Sequence, residues 1–414
     1  MATRIDALRT EQSASIASLV SGLAAANVRI DEQEAIITAQ GFTTTSPTSS
    51  PTTPAPTSIT AAPTAPPHPA PTAAPTREDI AVGNIIMTAL RDPPNLCSGG
   101  SLTRPTGCRV LDAADEAAVV ELTGDLRIDY TDLITIAARF PNMVSINGRV
   151  IISNNDNLTT YEGGFLMLAV VRGDFEMRNN RNNGVPLHRA FPSLRTVGGN
   201  FKYNANQEGN GYSAITDSFP VLETIGGNFE IMYDSQNGDS GRPQSSNNLR
   251  AIGGTSFQSL RTVAGRFRVH SMNGLNTISG SPFESLATVR ELYISVPLST
   301  VGSAVFSSLR EVGEGGLSLS WMSGPLSRFP TGVFSALEVV RGDFTVFQCS
   351  ALLGLETFTS LTNITRTLKI ALNNPEFEAD LALPSLACVG DLFDAIVPRH
   401  LQIPARAATL PQCV

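Results

Sequence analysis

Five carboxylate or amide side chains recur at one place in a repeated phrase: Asp125, Asp174, Asn200, Asn228 and Asp343 each follow a glycine. Carboxylates support general acid–base catalysis or hold a hard cation when they converge in a concave site. Repetition at a turn argues for a different role, because turn Asx side chains bond backbone groups. Arg-Gly-Asp occurs at 172–174 and again at 341–343. As an adhesion tripeptide it would need an exposed, flexible loop, yet both copies stand where other copies of the phrase read Gly-Gly-Asn, so they are read as turn residues. The histidines, His68, His188, His270 and His400, are scattered and belong to no motif. No Gly-x-Ser-x-Gly, phosphate loop or dinucleotide fingerprint is present, and no Cys-x-x-Cys or Cys–His spacing suggests zinc. The chain therefore offers no catalytic residue, no metal site and no cofactor, and it is not expected to be an enzyme.

The cysteines are informative by placement. Cys97 and Cys108 precede the repeats, and Cys388 and Cys413 lie at their far end. A disulfide at each end would staple the two caps and suits an oxidising compartment. Cys349 could replace either C-terminal partner, and five reduced thiols in a cytoplasmic protein is the alternative. Asn157-Leu-Thr159 and Asn363-Ile-Thr365 are glycosylation sequons, which fit secretion without establishing it.

These residues are positioned by a phrase that recurs eleven times from residue 116 to 395: Phe-x-x-Leu-x-x-Val-x-Gly-x-Phe-x-Ile. Counting its first Phe as position 0, clear copies start at Phe140, Phe165, Phe191, Phe219, Phe257 and Phe334, and weaker ones at Glu116, Phe283, Phe306, Phe358 and Leu383. Starts lie 23 to 28 residues apart, except for one gap of 38. A fixed period of this size means a solenoid, each unit burying its apolar edge against its neighbours. Positions 10 and 12 are apolar and flank a polar residue, the period of a strand with one buried face. Position 8 is Gly148, Gly173, Gly199, Gly227, Gly265 and Gly342, read as structural turn glycines with positive φ.

Outside the repeats, residues 1–41 space Ile16, Leu19, Leu23, Ala26, Ile30, Gln33 and Ile37 three and four apart. That is either the seam of an oligomerising coiled coil or one amphipathic helix. Residues 42–77 are nearly all Thr, Ser, Pro and Ala, a linker too poor in apolar surface to fold. Residues 78–115 are expected to form an N-terminal cap opened by a helix over 79–90, 116–395 the solenoid, and 396–414 a C-terminal cap or tail. Net charge is −8, with no basic cluster, which excludes a nucleic-acid partner. No run of 18 apolar residues is present to span a membrane. The N-terminus is a poor signal peptide, because Arg4 and Arg9 alternate with Asp6 and Glu11.

After the strand, Asn residues and an aliphatic follow, as in Asn154-Asn155-Asp156-Asn157-Leu158. The full pattern, Leu-x-x-Leu-x-x-Ile-x-Gly-x-Leu-x-Ile-x-x-Asn-x-x-Leu, resembles the receptor L domain. That is the leucine-rich-repeat-like right-handed parallel β-helix of growth-factor-type receptors, and fungal cell-wall organisation proteins carry similar repeats. The resemblance implies a mainly β fold of about 10–11 coils and a platform for a protein or glycan ligand, extracellular or at the cell surface. No furin-like module, membrane span or kinase accompanies it, so signalling is not carried over. Two long excursions, Asn204–Ser218 and Asp234–Asn248, are the expected recognition loops, with Tyr203, Tyr212, Tyr233, Asp234 and Asn237 as candidate ligand contacts. Trp321 continues the alternation of Leu317 and Leu319 and is expected in the core or a groove wall. The alternatives are a structural wall or matrix component without a discrete ligand, and a β-helical polysaccharide-active enzyme. The latter would line up acidic or basic groups on one face. Outward positions instead read Arg127, Glu176, Lys202, Glu230, Arg268 and Thr345.

Overall fold

A computed structural model describes residues 113–394 with internal breaks, the longest at 205–212, 234–248 and 375–382, and short segments between 80 and 110. The expected helix of 1–41, the linker of 42–77 and the tail of 396–414 lie outside the described residues. The described chain winds into a mainly β parallel solenoid of about nine turns. The two weakest copies of the phrase form its ends. A short helix, Ala113–Ala118, replaces the Phe corner at Glu116, and only one described strand, Cys388–Asp394, follows Leu383.

One coil shows how the phrase folds. After Phe191 comes a short strand Thr196–Val197, then Phe201–Asn204, then Ala214–Thr216. Each pairs in parallel with its equivalent one coil on: Thr196 with Thr224, Phe201 with Phe229, Ile215 with Ile252. In later coils the first two strands fuse across a bulge, as in Thr262–His270 and Thr288–Ser295. Equivalent positions thus stack in columns at about the 4.8 Å strand spacing.

Residues 84–88 were expected to be helical and are a strand instead. Ile85 is fully buried and pairs with Leu126, while Ile80–Ala81 pairs with Glu121–Leu122. The open ladder of the first repeat supplies unpaired backbone groups, and pairing them outweighs the propensity of a twelve-residue window that periodicity alone leaves ambiguous. Asn95–Cys97 and Arg109–Val110 then add antiparallel strands to this cap.

The core is a pair of aromatic columns. Position 0 stacks Phe140, Phe165, Phe191, Phe219, Phe257, Phe283, Phe306, Phe334 and Phe358, with successive ring centroids 4.8–6.2 Å apart and planes within 12°. Position 10 adds Phe175, Phe201, Phe229 and Phe267 at 4.5–5.3 Å. The columns meet edge to face, for example Phe201 against Phe219 at 5.1 Å and 90°. Both geometries suit the ring quadrupole, so the spine gains aromatic pair energy beyond burial.

The corners correct the expectation for the glycines. None of the position-8 glycines has positive φ; that conformation falls to Phe140, Phe165, Phe219, Phe257 and Phe283 at position 0, with φ between 47° and 63°. The glycines answer a different need. They form a column bonded coil to coil, Gly173 N to Gly148 O at 3.0 Å, Gly199 N to Gly173 O at 3.0 Å and Gly227 N to Gly199 O at 2.8 Å. A Cβ there would collide with the coil beneath: at Gly173 it would lie 2.7 Å from the Gly148 carbonyl oxygen.

Candidate functional site

The recurring Asx side chains are structural in the way their repetition suggested, with one difference. They reach the next coil rather than their own turn. Asp174 Oδ1 accepts from the Asn200 backbone N–H at 2.7 Å and its Nδ2 at 3.0 Å; Asn200 Oδ1 accepts from Asn228 N at 2.9 Å, and Asn228 Oδ1 from Arg266 N at 2.9 Å. Asp125 accepts from Arg149 and Asp343 from Thr367 in the same manner. Both Arg-Gly-Asp copies are consumed by this ladder, and Arg341 also ion-pairs with Glu311 at 2.5 Å. A second ladder follows the outer strand. Asn155 Nδ2 donates to Asn180 Oδ1 at 2.9 Å and to Ile128 O at 3.0 Å, all buried. Among the described residues, no group of three or more His, Cys, Asp or Glu is placed to hold a metal.

The outward face of the longer strands is one continuous surface. Arg127, Ile151, Glu176, Lys202, Glu230, Arg268, Tyr293, Ser318, Thr345 and Lys369 form one registered column. Several of its charges pair locally: Glu291 bonds Arg268 at 2.7 Å and Arg266 at 3.2 Å, and Arg178 lies 3.4 Å from Glu176. Such a face neither focuses one sign of charge nor concentrates titratable groups.

Of the candidate contact residues, Tyr203 is overturned. It lies only 4% exposed at position 12, where alternation turns it inward, and burial pushes its hydroxyl well above the usual range. Tyr233 is partly buried against the core. Tyr212, Asp234 and Asn237 lie outside the described residues. The first excursion is also shorter than expected, since Ala214–Thr216 is a strand. Both insertions nevertheless depart from neighbouring points, because Asn204 and Met232 are in register. Asn157 is exposed in a turn, and Asn363 is half-buried on a strand between Val339 and Cys388. Cys349 is a buried free thiol whose pKa burial raises to about 11. Cys108 and Cys413 lie outside the described residues; Cys97 ends a cap strand, and Cys388 begins the last described one.

Trp321 is the larger surprise. Instead of continuing the inward alternation it is 57% exposed, at a left-handed corner with φ 55°. The outer strand ends at Ser320, paired with Phe347, and the chain turns at Trp321, equivalent to the left-handed Gln348 of the next coil. A strict count of two does not show where a strand ends.

A separate corner gathers His188, Thr216 and Asp217. His188 Nδ1 lies 3.2 Å from Thr216 Oγ1 and 3.8 Å from Asp217 Oδ2. Asp217 accepts from Thr255 N at 2.9 Å and from Thr255 Oγ1 at 3.0 Å, and the backbone bond chiefly holds its carboxyl below the usual value. A depressed folded pKa contributes stability above the unfolded value of about 4, and that contribution is lost as pH falls through the folded pKa. Asp217→Asn keeps the acceptor but cannot titrate. Its melting temperature should fall less steeply than the parent's between pH 6 and pH 3, and equal slopes would refute the assignment.

No protein-family model, no curated protein and no solved structure matches this chain. Its function is therefore argued from its own geometry.

Proposed function

We propose that this chain is a non-catalytic binding protein of the extracellular space or cell surface, offering its solenoid face to a protein or glycan partner in the manner of a receptor L domain. The observation that carries the reading is the outer face itself: ten consecutive strands in register, a rigid core behind them, and two long insertions leaving from adjacent strand ends. A rigid scaffold with loops at one edge is a common arrangement for recognition. Ion pairing across the face, without a cluster of converging titratable groups, fits binding better than turnover. Disulfides involving the cap cysteines and sugar on Asn157 belong to the same reading. Residues 1–41, if they assemble as a coiled coil, would tether several solenoids and raise avidity without new contacts.

Two measurements test it. A non-reducing peptide map of protein from its native cell should find Cys388 in a disulfide and sugar on Asn157; five free thiols on a bare chain would overturn the extracellular placement. Binding should be saturable by one soluble partner, whereas salt-resistant retention in insoluble matrix without saturation would favour the structural alternative.

A further inference from the structure

The corner that follows the outer strand is left-handed in several coils, at Asn154, Ser271, Trp321 and Gln348, with φ of 55°, 59°, 55° and 52°. Asn and Ser suit such a corner, since short polar side chains tolerate it. Tryptophan does not, and a bulky residue held there signals strain that something else must offset. Burial is not the offset, because more than half of the side chain faces solvent. The ring instead stands edge to face with the half-exposed Phe347, centroids 5.6 Å apart. One coil away on the other side, Tyr293 meets His270 at 5.6 Å.

Between the two aromatic pairs the floor is made of hydroxyls. Ser318 is in register with Tyr293 on one side and Thr345 on the other, and its Oγ lies 2.7 Å from Ser320 Oγ. Beside Trp321, the Oε1 of Gln348 is a buried acceptor without a hydrogen-bond partner. The charges here flank the floor rather than lie on it. Arg268 and Glu291 satisfy each other, and Lys369 stands one strand beyond Thr345. His270 is biased toward its neutral form, chiefly by burial and then by Arg268.

From this arrangement we propose that Trp321, Phe347 and Tyr293, with the Ser318–Ser320 floor, form a stacking site for a neutral pyranose chain. The inference rests on the binding-protein reading above and names its ligand class. A sugar ring presents C–H groups on one face, which the electron-rich indole attracts, and hydroxyls at its rim, which the Ser318 hydroxyl can bond. A protein hot spot would need an apolar surround to exclude water. The other large exposed apolar side chains among the described residues, Ile134, Val144, Leu166 and Met167, lie on the first coils instead.

Trp321 is the sole tryptophan of the chain, so its fluorescence reports on this site alone. The full-length protein is titrated with cellohexaose, chitohexaose and laminarihexaose. At least one should give a saturable change in emission, and by calorimetry Trp321→Ala should weaken that ligand by about tenfold or more. Trp321→Asn should also lose binding yet melt at the same or a higher temperature, because it relieves the corner; a structural role for the ring would lower the melting point instead. No emission change with any of the three, or undiminished binding by Trp321→Ala, overturns the site. If none of the sugars binds while a soluble protein partner binds saturably, the stacking site fails and the binding-protein reading stands. If neither sugars nor any partner binds saturably, both fail.

Discussion

Phe219→Ala should lower the unfolding free energy by about 4 kcal/mol, the upper range for deleting a buried phenyl ring. Phe219 is fully buried and touches four rings. It stacks between Phe191 at 5.1 Å and Phe257 at 5.2 Å, and meets Phe175 and Phe201 edge to face at 5.5 and 5.1 Å. The neighbouring coils cannot collapse into the gap, because backbone bonds hold their spacing on either side. Since a solenoid's stability is a sum of nearest-neighbour terms, a hole at mid-array should also broaden the transition or split it in two. Denaturant unfolding followed by circular dichroism reads both effects. Phe219 sits at φ 62°, so Phe219→Gly should recover about 1 kcal/mol relative to Phe219→Ala by relieving the left-handed strain. Equal losses for Gly and Ala would mean that the corner is not strained.

Gly199→Ala should cost about 3 kcal/mol, an unusual penalty for one methyl group on the surface of a coil. A Cβ at Gly199 would meet Asp174 Oδ1 and stand 2.9 Å from both the Asp174 nitrogen and the Gly173 carbonyl carbon. Backbone atoms cannot step aside, and shifting the Asp174 carboxylate breaks the bonds it accepts from Asn200. Gly199→Asn separates this cause from the conformational one. Were positive φ the requirement, Asn would be nearly as good as Gly, since it tolerates that region. Because contact between coils is the requirement, Asn should destabilise at least as much as Ala in thermal melts. Near-parental stability of Gly199→Asn would restore the turn explanation.

The contrast between these two positions shows how far the order of residues could be read. The 23-to-28-residue period, the inward Phe, Leu and Val of each phrase and the polar residue between positions 10 and 12 all follow from local alternation. Alternation is a property of a single strand, so it is legible without neighbours. The repeating Asx positions were likewise legible as structural, because a residue that recurs at one position in five copies of the phrase serves the coil. The exposure of Trp321 was not legible, nor was the burial of Tyr203.

The amino-acid order by itself determined a parallel β-solenoid, the inward set of each phrase and the mixed charge of the outer face. Only the tertiary structure decided which side chains bend left-handed at the corners, why position 8 admits no Cβ, that residues 84–88 join the ladder as a strand, and that Trp321 swings outward. Each of these depends on the distance and register between one coil and the next, a relation that spans 23 to 38 residues and leaves no mark on local periodicity.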